Sequence, residues 1–516
     1  METVCIRHTD LPGTSRLFAD FSYHFDKVAR FYRHDPHNRE SLKAAAKEIQ
    51  YPDDRRAALV RALRAQNGDS ESMTRLAQPG TVAVVTGQQV GLFGGPAYTI
   101  YKAVTAVRLA EDLSAQGIPA VPIFWLASED HDFPEVNHAY SFDAAQRPVR
   151  LHVEAAHSGT RPVGGLRLEQ PPLDELRQSL TGFPYAEGVM EAVEQSYRPG
   201  ATMTEGFRGL LQSLLSRMGL IFLDPLDPAL RAIWAPKVAE ALTAAPELKA
   251  RLLERNRELL AAGYHAQVHL EPKTSLFFLL EKGERVPLRL KDSEFGSLCD
   301  RAADVSPNAL LRPVLQDYLL PTVAYIGGPG ELAYFAQSSV LYEQLLGRMP
   351  VVLARSSFTL LDARAEKLLD RYKLSVTDVL VPEETLKDRL AQALVPENLE
   401  RSLVDAGGEV ERCLARLGQE IASFDPTLAA ALEKSRAKML YQVEKMRRKT
   451  GREILRRDAR ASADAQHLIG LLYPHKHLQE RFYSILPFLA KHGLDVVDRL
   501  HDAVELSCPD HRVLTV

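Results

Sequence analysis

The chain has 516 residues, 45% hydrophobic and 25% charged, and its 63 basic and 67 acidic side chains leave a net charge of −4. That length supports a large core plus a second domain, and the balanced charge excludes a general attraction to nucleic acid. No apolar run nears the ~20 residues of a membrane span, METVCIRHTDLPG lacks a secretion pattern, and Cys5, Cys299, Cys413 and Cys508 stand far apart with no CxxC, as in a reduced, cytoplasmic protein without a thiolate metal site.

Residues 1–75 read as mostly helical. Asp53-Asp54 followed by RRAALVRALRAQNG predicts a capped amphipathic helix that stops at Gly68 and packs on the core. The most informative stretch is Thr81–Asn137. Val82 to Val85 form an apolar, β-branched run that suits a buried strand. A glycine-rich loop follows, Thr86-Gly87-Gln88-Gln89 and then Gly91, Gly94 and Gly95. Pro96 fits the first turn of a helix, Ile100, Val104, Val107 and Leu113 mark its buried face, and Gly117 marks its stop. A second apolar run, Ala120 to Ala127, ends in Glu129-Asp130-His131-Asp132. This strand–loop–helix–strand order predicts a right-handed parallel unit. Its loop and its acidic cluster both fall beyond strand carboxyl ends, where open α/β sheets bind ligands. Free loop N–H groups favour an anion and the cluster favours a cation. The glycine spacing matches neither a P-loop nor GxGxxG.

Residues 143–203 read as an insertion, in which VRLHVEAAH and GGLRLEQ alternate like strands and Leu173–Leu180 and Gly188–Tyr197 look helical. A helix is predicted over 204–218, a strand over Leu220–Leu223 and helix again over 228–262. YHAQVHLEPKTSLFFLLEKGERVPLRL then alternates, so His265 and His269 are placed on one face of a strand with Gln267, and no metal site is assigned to them. A strand is predicted over Leu319–Ile326. It is followed by Gly327-Gly328-Pro329-Gly330, a helix from Glu331 and a strand over 350–354, which repeats the first unit's Gly-Gly-Pro. From Leu361 the chain is helical and charged. Val410, Leu414, Leu417, Ile421 and Phe424 follow a 4-3-4-3 seam, Asp425-Pro426 breaks it, and a second helix runs to about Arg460 with a basic end.

The motifs TGQQxGLxxGPxYTIYKA and FWxASEDHDFxEVNH, SPNxLLRPxxQDxLLPTxAYxGGPxExAYFAQ, and YPxxxLQER resemble the bacillithiol biosynthesis cysteine-adding enzyme family, BshC. The matching residues include Gln88, Gln89, Lys102, Asp130, His131, Glu135, Asn308, Arg312, Tyr325, Glu331, Tyr334, Gln479, Glu480 and Arg481, and Val90 stands where many members have Pro. The resemblance implies a Rossmann-like parallel-sheet core with connecting insertions, a C-terminal coiled-coil hairpin and a homodimer formed through that coil. It also implies a ligase that adds L-cysteine to the amine of glucosaminyl-malate. The expected division is 1–142, the insertion 143–203, the rest of the core at 204–360 with a β-rich insertion near 264–300, the helical domain 361–465, and 466–516 packing back.

Amide formation needs an activated carboxylate and a deprotonated amine. His131 is therefore the candidate base, with Asp130, Glu129 and Asp132 beside it. Thr86, Gly87, Gln88, Gln89, Gly95, Tyr98, Lys102, Asn137, Tyr325, Gly328, Pro329, Glu331 and Arg355 are the candidate substrate-binding residues. Arg448 and Lys449 of the basic helix, with Gln479 and Arg481, are candidates for holding ATP or ADP. No metal is predicted. Two other classes share these features: a Rossmann-type nucleotidyltransferase or amino-acid ligase with another substrate, whose usual HxGH and KMSKS signatures are missing, and a non-catalytic dimeric scaffold.

Overall fold

In the computed structural model the described residues are 4–154, 159–271, 274–288 and 292–516, with backbone alone at 292–297 and 426. Five strands build the central sheet: β1 Val82–Gln88, β2 Ala120–Leu126, β3 Ile221–Leu223, β4 Thr322–Gly327 and β5 Val351–Ala354. Their lateral order is β5-β4-β1-β2-β3, and every neighbouring pair is parallel. The chain winds from β1 outward to β3, then crosses back to β4 on the other flank of β1. The gap beyond the carboxyl ends of β1 and β4 is thus the switch point of the sheet, the place where such folds take ligands.

Both faces of the sheet are covered, which explains why its strands read as continuous apolar runs. Ala83 and Val85 pack on one face with Leu59, Trp234 and Leu341, while Val82 and Val84 pack on the other with Ala106 and Leu109. Helix α1, Tyr98–Ala115, buries Ile100, Val104, Val107 and Leu113 as its spacing predicts, and Gly117 beyond it has φ +84°. Helices α2, Arg312–Leu319, and α3, Pro329–Leu346, flank β4.

Several expectations need correction. Strand β1 continues through Thr86, Gly87 and Gln88, so the loop begins later than its glycines suggest. A Cβ on Gly87 would lie 2.9 Å from the Trp125 carbonyl oxygen. This glycine lets β1 and β2 close up; it does not cradle an anion. Leu319 ends α2 instead of opening β4, because the helix whose first turn holds Pro313 runs on through it. GGLRLEQ holds a 3-10 turn at Val163–Gly165 and a single bridge from Arg167 to Thr202, in place of a strand. Of VRLHVEAAH, Val149–His152 pair with His138–Ala139 and their neighbours, and residues 155–157 lie outside the described residues. Residues 264–271 are irregular, not strand: His265 bonds Gln267 at 3.1 Å and His269 bonds Glu271 at 3.3 Å. The pairing begins at Phe277, and residues 272, 273, 289 and 290 of that run lie outside the described residues.

The C-terminal hairpin consists of α4, Glu397–Phe424, and α5, Pro426–Arg457, with Asp425 accepting the Thr427 N–H at 2.7 Å as their shared cap. Leu414 is buried in it, while Leu417, Leu428, Met439, Met446 and the tip residue Phe424 are exposed. Arg436–Glu411 at 2.5 Å and an Arg447–Glu400 ion pair tie the two helices together.

The chain then returns to the core. Its last strand, His511–Thr515, lies between Ser357–Leu361 and the N-terminal strand Val4–Ile6. This clamp encloses His511, whose Nδ1 is 2.5 Å from Ser357 Oγ and whose Nε2 is 2.8 Å from Thr359 Oγ1. Burial pushes its pKa from 6.5 down to about 4. A depressed folded value means that the unfolded chain takes up the proton first. The stability is therefore full above the unfolded value and is lost as pH falls through the folded one. Between pH 6.5 and 5, above most carboxylate titration, stability should fall with decreasing pH, and His511→Asn should reduce that slope by about one proton, or about 1.4 kcal/mol per pH unit. Denaturant midpoints across this window check it; an unchanged slope in the variant would contradict it.

Candidate active site

A cavity of about 600 Å³ occupies the switch point. Strand β1 contributes Gly87 and Gln88, with Gln89 just beyond; β4 contributes Tyr325, and the start of α3 contributes Gly328, Pro329 and Glu331. Tyr98 and Lys102 of α1, Glu129, Asp130 and His131 after β2, Arg355 after β5, and Arg481 complete the candidates it brings together. Gly95 lines an adjoining cavity of about 300 Å³ that shares Gln88, Gln89, Tyr98 and Arg481 with the first.

Other candidates lie elsewhere. Thr86 is buried and donates to the Ile326 carbonyl at 2.9 Å. Asp132 and Asn137 do not line either cavity, and Asn137 bonds His152 at 3.1 Å. Gln479 is a core residue, hydrogen-bonded to the backbone of Leu360 and Leu471. Arg448 and Lys449 sit on α5, where Arg448 lies 3.9 Å from Glu444. The glycine loop's N–H groups are largely spent internally: Gly91 donates to Gln89, Gly94 to Tyr197 and Gly95 to Leu92.

Several charges in the crevice are already paired. Glu129 is buried against Arg231, so it braces the floor. Lys102 donates to the Gly87 carbonyl at 2.8 Å, to Gln88 Oε1 at 2.9 Å and to Glu331, which uses all three ammonium hydrogens. Burial alone would raise the Glu331 carboxyl, but Lys102, the Gly328 N–H and Tyr325 outweigh it and hold it below the ordinary range. Arg355 forms a fork with Glu480 at 2.7 and 2.6 Å. Burial opposes ionisation of Glu480 too, yet Arg355 holds its pKa down to about 2. Lys102 and Arg355 are therefore pins of the scaffold, not open anion receptors.

Two further sets of polar residues line the cavity. In one, Gln89 Nε2 donates to Asp130 at 2.7 Å and to Glu135 at 2.8 Å, which sets two carboxylates side by side. His131 adjoins them, with Arg285 Nη1 3.0 Å from its Nδ1 and its own backbone N–H on Asp130 at 2.8 Å. Arginine has no acceptor, so Nδ1 must accept and the ring hydrogen sits on Nε2. With Nδ1 accepting from Arg285, that lone pair of His131 is occupied in this arrangement. The other set is Arg312 and Arg481, which line the same cavity; Arg481 also shares the adjoining cavity with Glu135. Sequence reasoning assigns no role to Arg312, Arg285 or Glu135. Arg312 and Glu135 sit inside the motifs, but Arg285 arrives from a plain alternating run and gives no local signal.

A doubly covered parallel sheet with a polar crevice at its switch point, lined by both carboxylates and guanidinium groups, defines a small-molecule enzyme of the Rossmann-like class. The chain belongs to the bacillithiol biosynthesis BshC family. Residues 1–356 match the family model described as the BshC N-terminal Rossmann-like domain, and residues 358–516 match the BshC C-terminal coiled-coil domain. Its relatives include proteins named "Putative cysteine ligase BshC". That of Solibacter usitatus is 54% identical over 100% of both chains, that of Koribacter versatilis is 39% identical over 99% of both, and that of Salinibacter ruber is 33% identical over 97% of this chain and 96% of its own.

Proposed function

We propose that this protein forms the amide bond between L-cysteine and the amine of glucosaminyl-malate, the last step of bacillithiol synthesis. The observation that carries the reading is that one crevice holds both kinds of group: carboxylates for an ammonium, guanidinium groups for carboxylates. The names of its full-length relatives agree with it. The condensation is unfavourable in water, so we assign ATP as the co-reactant that turns the cysteine carboxylate into an acyl phosphate or adenylate. The amine nitrogen then attacks the acyl carbon, the phosphate or AMP leaves with the C–O electron pair, and the amine's proton passes to Asp130. We assign the Nε2–H of His131 as a donor to the developing oxyanion. Purified protein given L-cysteine, glucosaminyl-malate and ATP should yield a product of the summed mass less water. No product with any nucleoside triphosphate would overturn the reading.

The exposed apolar residues of the hairpin, Leu417, Leu428, Met439 and Met446, support a homodimer formed through it. Sedimentation should give twice the chain mass, and a monomer after Met439→Glu; a wild-type monomer counts against the dimer. A cytoplasmic location fits a pathway that uses a reduced thiol, and recovery of the protein in a membrane or secreted fraction would refute it.

A further inference from the structure

Arg312 is a half-buried residue that lines the crevice, and the two side chains that accept from its guanidinium are neutral. It opens α2, and from there Nη1 donates to Gln316 Oε1 at 3.0 Å and Nη2 donates to the Tyr334 hydroxyl at 2.8 Å. Among the described residues no carboxylate stands within ion-pair reach of it. Glu331 favours the charge of Arg312 from beyond ion-pair distance, but its oxygens are engaged elsewhere: one accepts from Tyr325 at 2.7 Å, and the other accepts from Gly328 N–H at 2.8 Å and from Lys102. The remaining cations of the cavity differ from it. Lys102 and Arg355 are paired, and Arg285 lies 3.7 Å from Asp130. Arg481 is exposed at the rim, with the Tyr98 ring centre 6.0 Å away.

A guanidinium with no ion-pair contact keeps unused capacity for charge-assisted hydrogen bonds, and an incoming carboxylate fills it with a fork of them. Gln316 and Tyr334 hold the group's orientation without cancelling its charge. We propose that Arg312 receives a substrate carboxylate and so sets which way round the substrate lies: carboxylate at Arg312, amine at Asp130 and Glu135. This assignment rests on the reading that the crevice takes an acidic amino sugar and an amino acid. The carboxylate belongs to either of these, and the test separates them.

Calorimetry with malate and with L-cysteine, on wild type, Arg312→Lys and Arg312→Met, measures the contact without any turnover. Arg312→Met should weaken one of the two ligands by about 10- to 100-fold, and Arg312→Lys should fall between. A loss confined to malate assigns the carboxylate to the sugar acid; a loss confined to L-cysteine assigns it to the amino acid. Circular dichroism and thermal melts report whether each variant folds. From the ligand's side, the same contact is tested in wild type alone by replacing each carboxylate with its amide. Unchanged affinity for both ligands in a folded Arg312→Met, or equal binding of acid and amide in wild type, would overturn the proposal. The two readings fail separately. Ligation with unaltered KM values in Arg312→Met sinks this assignment and leaves the function standing. Arg312-dependent malate binding in a protein that does not ligate does the reverse.

Discussion

Glu480→Gln is expected to lower the stability of the protein by about 3–5 kcal/mol, the range found when one partner of a buried ion pair is removed. Both side chains of the Arg355–Glu480 pair are 4% exposed. Glu480 also accepts from Ser357 Oγ at 3.1 Å and from the Phe358 N–H at 3.3 Å, so its carboxylate is well satisfied. The amide leaves the Arg355 guanidinium buried with no counter-charge. The pair joins the segment after β5 to the returning C-terminal chain, so the loss should be felt by both. Arg355→Met in the Glu480→Gln background removes the stranded charge and should restore most of the stability. Denaturant midpoints of the single and double variants measure this. A single-variant loss below about 1 kcal/mol, the ordinary size of an exposed pair, would contradict the account.

Asp130→Asn is expected to slow amide formation by about 10²- to 10⁴-fold, the usual worth of a positioned proton acceptor. Asp132→Asn should leave the rate within about twofold, as a surface change does. The contrast follows from where the turn after β2 sends four successive side chains. Glu129 points into the core onto Arg231, Asp130 and His131 line the crevice, and Asp132 is outside it. Asp130→Asn also removes the ammonium's counter-charge, so KM should rise together with the fall in kcat. Initial rates of product formation, with melts to confirm folding, check both variants. Equal losses at the two positions would show that the cluster acts by overall charge instead of by placement.

Much of the scaffold was legible because its signals are local. The apolar run at Val82, the spacing of Ile100, Val104 and Val107, and the cap at Asp425-Pro426 each fix an element without help from distant chain. Strands meet less local demands, which is why residues 264–271 alternate in sequence yet stay irregular: the ladder starts at Phe277, where partners Val305–Pro307 are available. Site residues were readable as residue types gathered at strand ends, but their availability was not. Whether Lys102, Glu129 or Arg355 is free depends on Glu331, Arg231 and Glu480, which lie more than a hundred residues away in sequence. Likewise, the partner of His131 Nδ1 is Arg285, contributed by a separate hairpin.

The most direct measurement is the cellular thiol pool after deletion of this gene, then after its return as wild type or as Asp130→Asn. The account predicts loss of bacillithiol with accumulation of glucosaminyl-malate, reversed by wild type and not by the variant. Unchanged bacillithiol after deletion would contradict it.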